Sequence, residues 1–149
     1  MKKALLIATS VIVGVLAFAY AMYTSNEAPR VAAVSAAEAA TAGKPYVVKL
    51  HAQWCPYCMI TKGVWSEIEQ AYAGRVHLVV LDFTNEANTA ASRTEATRLG
   101  LDKFYQEYAG ATGIIVVLDA RTKEVTAEIQ GSRDFAEYRA AIDAALAER

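Results

Sequence analysis

From Pro56 onward, apolar residues recur every fourth position, at Ile60, Val64, Ile68 and Tyr72, which is the spacing of one helical face. Gly74 ends that pattern. Before it, Tyr46 to Ala52 is rich in β-prone residues and reads as a strand. After it, Val76 to Phe83 is a near-continuous apolar run, typical of a buried central strand. Asn85 to Leu99 is polar and alanine-rich and reads as a helix closed by Gly100, and Lys103 to Tyr108 reads as a short extra helix. Ile114 to Leu118 is a second strongly apolar strand. Asp119-Ala120-Arg121-Thr122 is turn-like, and Glu124 to Gln130 alternates as an outer strand does, so the pair predicts a hairpin. Asp134 and Glu137 make a capping-box pattern ahead of a last helix, whose apolar face is Phe135, Tyr138, Ile142, Ala145 and Leu146.

The N-terminal part has a different rhythm. Met1-Lys2-Lys3 is basic, and Ala4 to Met22 carries no charge. A run of about 20 apolar residues is near the length that spans a bilayer, and longer than the core of an ordinary export signal. Small-residue patterns at Ala17-Phe18-Ala19 and Ala19-Tyr20-Ala21 suit signal peptidase. Residues 1–23 therefore read as a signal peptide or an uncleaved signal anchor, with the length leaning to the anchor. Lysines kept inside place the rest of the chain outside the cytoplasm in either case. Residues 24–30, polar and holding Pro29, read as a linker. Residues 31–149 read as one folded domain that opens on an alanine-rich helix from Val31 to Ala42.

Composition narrows the classes. In 149 residues, 54% of them hydrophobic, there is room for one core. A formal net charge of -1, with no basic run, argues against a nucleic-acid partner. The chain has two cysteines, too few for a disulfide scaffold, so the pair is free for chemistry. The first βαβ should be parallel, with the hairpin adding antiparallel strands to a mixed sheet.

Both cysteines lie in Trp54-Cys55-Pro56-Tyr57-Cys58, where the first strand runs into the first long helical pattern. Unpaired N–H groups and the positive end of a helix favour a thiolate there. Pro56 suits the first helical position. The three-residue offset places Cys58 one turn from Cys55. Cys55 is thus the candidate nucleophile and Cys58 the resolving thiol, and exchange between them needs no added cofactor. Helix placement brings a thiol pKa from about 8.5 into the range of about 3.5–7.5.

At this motif the sequence resembles the thioredoxin-like superfamily, over roughly Val31 to Leu146. Gly43-Lys44-Pro45 followed by Ala52-Gln53-Trp54-Cys55 is similar to the C-terminal domain of the transmembrane disulfide reductases of the DsbD type. The inner dipeptide Pro56-Tyr57 is the one typical of glutaredoxins. The resemblance implies an α/β thioredoxin-like fold, with a central mixed four-stranded sheet flanked by helices and preceded by the apolar signal or anchor helix.

Three departures stand out. Lys49 occupies the place of the family's buried aspartate, where a cation favours thiolate unless its ammonium simply points to solvent. Thr112-Gly113 stands where the family has its cis-proline. A cis bond without proline costs about 2.5–4 kcal/mol, so a trans link is expected at Gly113. The segment from Asn85 to Gly110 is longer than in thioredoxin and is a candidate wall near the site.

Of the remaining candidates, His51 shares a strand face with Lys49. It reads as a packed strand-end histidine, a proton acceptor for Cys58, or a third metal ligand. Trp54 is expected to pack beside the motif, and Tyr57 to stand exposed between the cysteines. Trp65 and the Arg93, Glu95, Arg98 cluster read as plain packing and a solvated helix face. Tyr105 and Tyr108 suit a substrate groove or the core equally.

The leading expectation is a thiol:disulfide oxidoreductase, periplasmic or otherwise extracytoplasmic and tethered to the inner membrane by residues 4–22. It would act on client proteins with disulfides, more readily as reductant, with a membrane electron-transfer partner. The alternative is a soft-metal (Cu or Zn) binding or delivery module using Cys55, Cys58 and His51. A third reading is a non-catalytic binding domain with a static disulfide.

Overall fold

The computed structural model describes residues 43–148. The signal or anchor segment, the linker and the alanine-rich first helix lie outside the described residues. Among the described residues, no helix is long and apolar enough to cross a membrane.

The elements run β1 (Tyr46–His51), α1 (Pro56–Ile60), α2 (Lys62–Tyr72), β2 (His77–Asp82), α3 (Glu86–Arg98), α4 (Asp102–Tyr108), β3 (Ile114–Leu118), β4 (Val125–Gln130) and α5 (Phe135–Ala147). The strands form one sheet in the order β2-β1-β3-β4. β1 pairs parallel with β2, and antiparallel pairs join β1 to β3 and β3 to β4. This is the expected thioredoxin-like arrangement, a mixed four-stranded sheet flanked by helices.

The alternation of β1 divides the core. Tyr46, Val48 and Leu50 face one side, where Val79, Leu81, Phe83, Ile114 and Val116 join residues of α3 and α4. Val47 faces the other side, with Ile115 and Val117 from β3, Val64, Trp65, Ile68 and Tyr72 from α2, and Tyr138 and Ile142 from α5. Both sides exclude water from apolar area, at roughly 25 cal/mol per Å².

Two expectations are corrected. The run from Val76 to Phe83 is not a central strand: β2 is an edge, and Val80 is 45% exposed. Its apolar character comes from helices that cover both faces, burying Val79 and Leu81 on one side and Val76 on the other. The helix after Cys55 is also not continuous. It breaks at Thr61, whose hydroxyl donates to the carbonyl of Tyr57 at 3.0 Å and to that of Cys58 at 3.4 Å. Such back-bonding competes with the helical ladder and bends it.

Other signals hold. Asn85 caps α3 by accepting from the Asn88 N–H at 2.9 Å, and Gly100 follows the helix at φ +68°. Asp134 caps α5 through the Ala136 N–H at 2.9 Å.

Candidate active site

Cys55 is the N-cap of α1. Its backbone is extended (φ -86°, ψ 118°), and Pro56 opens the helix behind it. Its sulfur does what a capping oxygen usually does and accepts the Cys58 N–H at 3.2 Å. Cys58 follows one turn on. Its sulfur accepts the Ala52 N–H at 3.4 Å and faces the Leu50 carbonyl at 3.7 Å. Both thiols are unbridged and buried, and with Ala52 they form a small cluster of their own.

The two sulfurs differ in charge preference. Burial opposes ionisation of Cys55. Hydrogen bonds outweigh it, from the Cys58 thiol, the Thr112 side chain and the N–H groups of Cys58 and Tyr57, so the thiol lies below its ordinary value. Burial pushes the Cys58 thiol up, and its bond to Cys55 adds to this. The two titrate as a pair.

Opposite the cysteines stands Gly113, at φ +79°, its N–H donating to the Leu50 carbonyl at 2.9 Å. Every peptide bond among the described residues is trans. A Cβ at Gly113 would lie 2.5 Å from Cβ of Tyr57 and 3.2 Å from the Cys55 sulfur. Gly131, at φ +64°, donates to the Gly113 carbonyl at 3.2 Å, and a Cβ there would lie 2.5 Å from Cδ1 of Tyr57. The ring of Tyr57 therefore rests on two glycine backbones, half of it open to solvent. Trp54 is 62% exposed, and its indole N–H donates to the Thr84 carbonyl at 3.2 Å. It packs less closely over the motif than its sequence position suggests.

Behind Cys58 lies a cavity of about 520 Å³, lined by Lys49, His51, Cys58, Lys62, Trp65 and Glu69. Lys49 is only 8% exposed, so most of its chain is buried and its ammonium faces this cavity. It sits 5.4 Å from the centroid of the Trp65 ring, and Trp65 donates to Glu69 at 2.7 Å. Burial lowers the Lys49 pKa, while Cys58 and Glu69 act to raise it. Nδ1 of His51 is buried without a hydrogen-bond partner. Burial and then Lys49 lower its pKa, against Asp82.

Trp54, Pro56, Tyr57, Thr112 and Gly113 thus gather around Cys55, while Lys49 and His51 stand behind Cys58. Sequence reasoning missed Gly131 and the Asp82–Thr84 pair. Asp82 accepts from the Thr84 N–H at 2.8 Å and from the Asn88 amide at 2.9 Å, and Thr84 in turn accepts the Gln53 N–H at 3.0 Å. Sequence reasoning also took Trp65 for simple packing, although Lys62, Trp65 and Glu69 share one helical face by spacing. The long segment of α3 and α4 walls the other face of the sheet. Tyr105 and Tyr108 pack there, Tyr105 bonding to the Thr89 carbonyl and Tyr108 to Glu128. Among the described residues no three of His, Cys, Asp and Glu gather as a metal site.

Residues 32–97 match the thioredoxin family model. The fold resembles a thiol:disulfide interchange protein of the thioredoxin family from Chlorobium tepidum TLS. That match has a TM-score of 0.50 at 22% identity and covers 73% of this chain and 84% of that one. MTB dsbF, solved in mixed oxidized and reduced forms, matches with a TM-score of 0.49 at 16% identity, over 72% of this chain and 84% of its own. No curated protein matches the chain. The family match and the dithiol at a helix start support a thiol:disulfide oxidoreductase.

Proposed function

We propose that the chain is an extracytoplasmic thiol:disulfide oxidoreductase that reduces disulfides of client proteins. The carrying observation is the capping sulfur of Cys55, which accepts the Cys58 N–H while burial pushes its partner thiol up. The Cys55 thiolate attacks one sulfur of a client disulfide. A mixed disulfide forms, and the other client sulfur leaves with the electron pair and takes a proton from water. Cys58 loses its proton and attacks Cys55. The Cys55–Cys58 bond forms, and the second client sulfur leaves in the same way. The client gains two electrons and the dithiol loses them.

Cys55 is only 2% exposed, so attack needs local movement. Tyr57, seated on glycine backbones, is the side chain placed to swing aside. The reductant direction is supported by Cys58: a thiol pushed up by burial gains nothing from ionisation, so only Cys55 stabilises the reduced state. The basic start and apolar run of residues 4–22 support export and a tether to the inner membrane, beside a membrane electron donor of the DsbD kind. On this reading residues 1–23 are the signal or anchor, 24–30 the linker and 31–149 the working domain.

Insulin-disulfide reduction tests the reading, with Cys55→Ser and Cys58→Ser as controls. Turnover in the wild type, lost in both variants, is expected, together with a potential below about −200 mV. Turnover retained in either variant sinks the dithiol mechanism. A potential near −120 mV reverses the direction.

A further inference from the structure

The buried lysine behind the resolving thiol is the feature that dithiol exchange leaves unused. Lys49 comes from the middle of β1, between Val80 of β2 and Ile115 of β3 in register. Its neighbours on this strand face are Val47 and His51. An ammonium at the wall of such a cavity loses part of its hydration, a cost that an anion beside it would offset. Lys49 makes no hydrogen bond or ion pair within 4 Å among the described residues; its close contact is the face of Trp65 at 5.4 Å. The cavity that holds its charge also holds Cys58.

We propose that Lys49 is the counter-ion of the Cys58 thiolate, present only while Cys58 attacks the mixed disulfide. This inference rests on the dithiol reading above and deepens it. At rest, Cys58 is a thiol and the ammonium leans on the Trp65 ring, which Glu69 holds in place. When Cys55 is tied up with a client, Cys58 must ionise. Its proton passes to water in the cavity, and the sulfur anion forms next to a standing positive charge. The anion then attacks Cys55, the Cys55–Cys58 bond forms, and the client sulfur leaves with the electron pair. The other titratable groups around Lys49 are Lys62 and Glu69 on α2 and His51 on its own strand, with Asp82 of β2 beyond His51. Lys62 and Glu69 are of opposite sign and burial disfavours charge on His51, so Lys49 is the cation on the strand that leads into the cysteines. Burial lowers the lysine pKa, and attraction to Cys58 offsets part of that lowering.

The test separates the two halves of the reaction. Reduced full-length protein is mixed with a chromophoric aryl disulfide such as 5,5′-dithiobis(2-nitrobenzoate). Cys55 releases one thiol in a bimolecular step, and Cys58 releases the second in a unimolecular one. For Lys49→Met, the pH midpoint of the second step should rise by about one unit, slowing it roughly tenfold below the midpoint. The first step should change less than twofold. Lys49→Arg should restore the wild-type midpoint, since it keeps the charge. Should Lys49→Met fail to fold, Lys49→Gln carries the same test. An unmoved midpoint in the uncharged variant overturns the proposal. So does a Lys49→Arg variant as slow as Lys49→Met, which would assign the amine as a base instead. If wild-type protein shows no unimolecular second release, the dithiol reading itself has failed.

Discussion

The two faces of β1 obey different rules. Toward α3 and α4 the strand presents Tyr46, Val48 and Leu50, all buried among apolar neighbours. Toward α2 and α5 it presents Val47, then Lys49 and His51. The same six-residue strand thus builds a plain core on one side, and on the other breaks its own apolar pattern as it nears Cys58. A core loses by such a break, because a buried charge costs free energy and adds no packing. On the proposed reading the broken face gives up stability for chemistry, and the intact face is what holds the strand while it does so.

Adjacent residues put this to the test with the largest expected effect. Leu50→Ala removes a fully buried side chain from the intact face and should cost about 2–5 kcal/mol. Lys49→Met, one residue away, replaces a mostly buried lysine by an apolar chain of similar length. It should leave stability unchanged or raise it by about 1–4 kcal/mol, as when buried charges are replaced by well-packed apolar groups. Urea unfolding of the two variants reads the contrast. Equal losses at both positions would mean that Lys49 is a structural residue like Leu50.

Much of this was legible beforehand. The strand into Cys55, the cap at Asn85, the hairpin of β3 and β4 and the apolar face of α5 all follow from local periodicity and turn chemistry. Contacts between distant elements were less visible. The edge position of β2 depends on which strands pair, and a run covered on both faces by helices looks the same as a central strand. Thr61 breaks the helix through a hydroxyl that composition does not flag. Gly131 lies 74 residues beyond Tyr57 in the chain, so no spacing rule joins them. Lys49 was visible as an oddity, but only the packing of Trp65 shows that its chain lies against that ring beside the Cys58 cavity.

A second break in the comparison is smaller and sits at the mouth of the site. Gly113→Ala puts a side chain at φ +79°, at a strain of about 1–2 kcal/mol. It also drives a methyl group into Tyr57 and toward the Cys55 sulfur. Stability should fall by about 2 kcal/mol, and the Tyr57 ring should leave its seat, speeding alkylation of Cys55 by iodoacetamide. Slower alkylation would show that the ring does not cover the sulfur.

The smallest expected effect isolates one hydrogen bond on the Cys55 side. The Thr112 side chain bonds to Cys55 and favours its thiolate, together with the Cys58 thiol and the N–H groups at the helix start. Thr112→Val keeps the shape and removes the donor. A bond of this kind is worth about 0.5–1.5 kcal/mol, or roughly half to one pKa unit. The sign follows from which form the bond favours: losing it raises the Cys55 pKa. Alkylation of Cys55 measured against pH should therefore shift its midpoint upward by that amount, with the same plateau at high pH where the thiolate is fully formed. The resolving step, governed by the other face of the strand, should keep its own pH midpoint. Were Thr112→Val to move the midpoint of Cys58 as much as that of Cys55, the two sulfurs would be tuned by one shared environment, and the division between the faces of β1 would carry no chemical meaning.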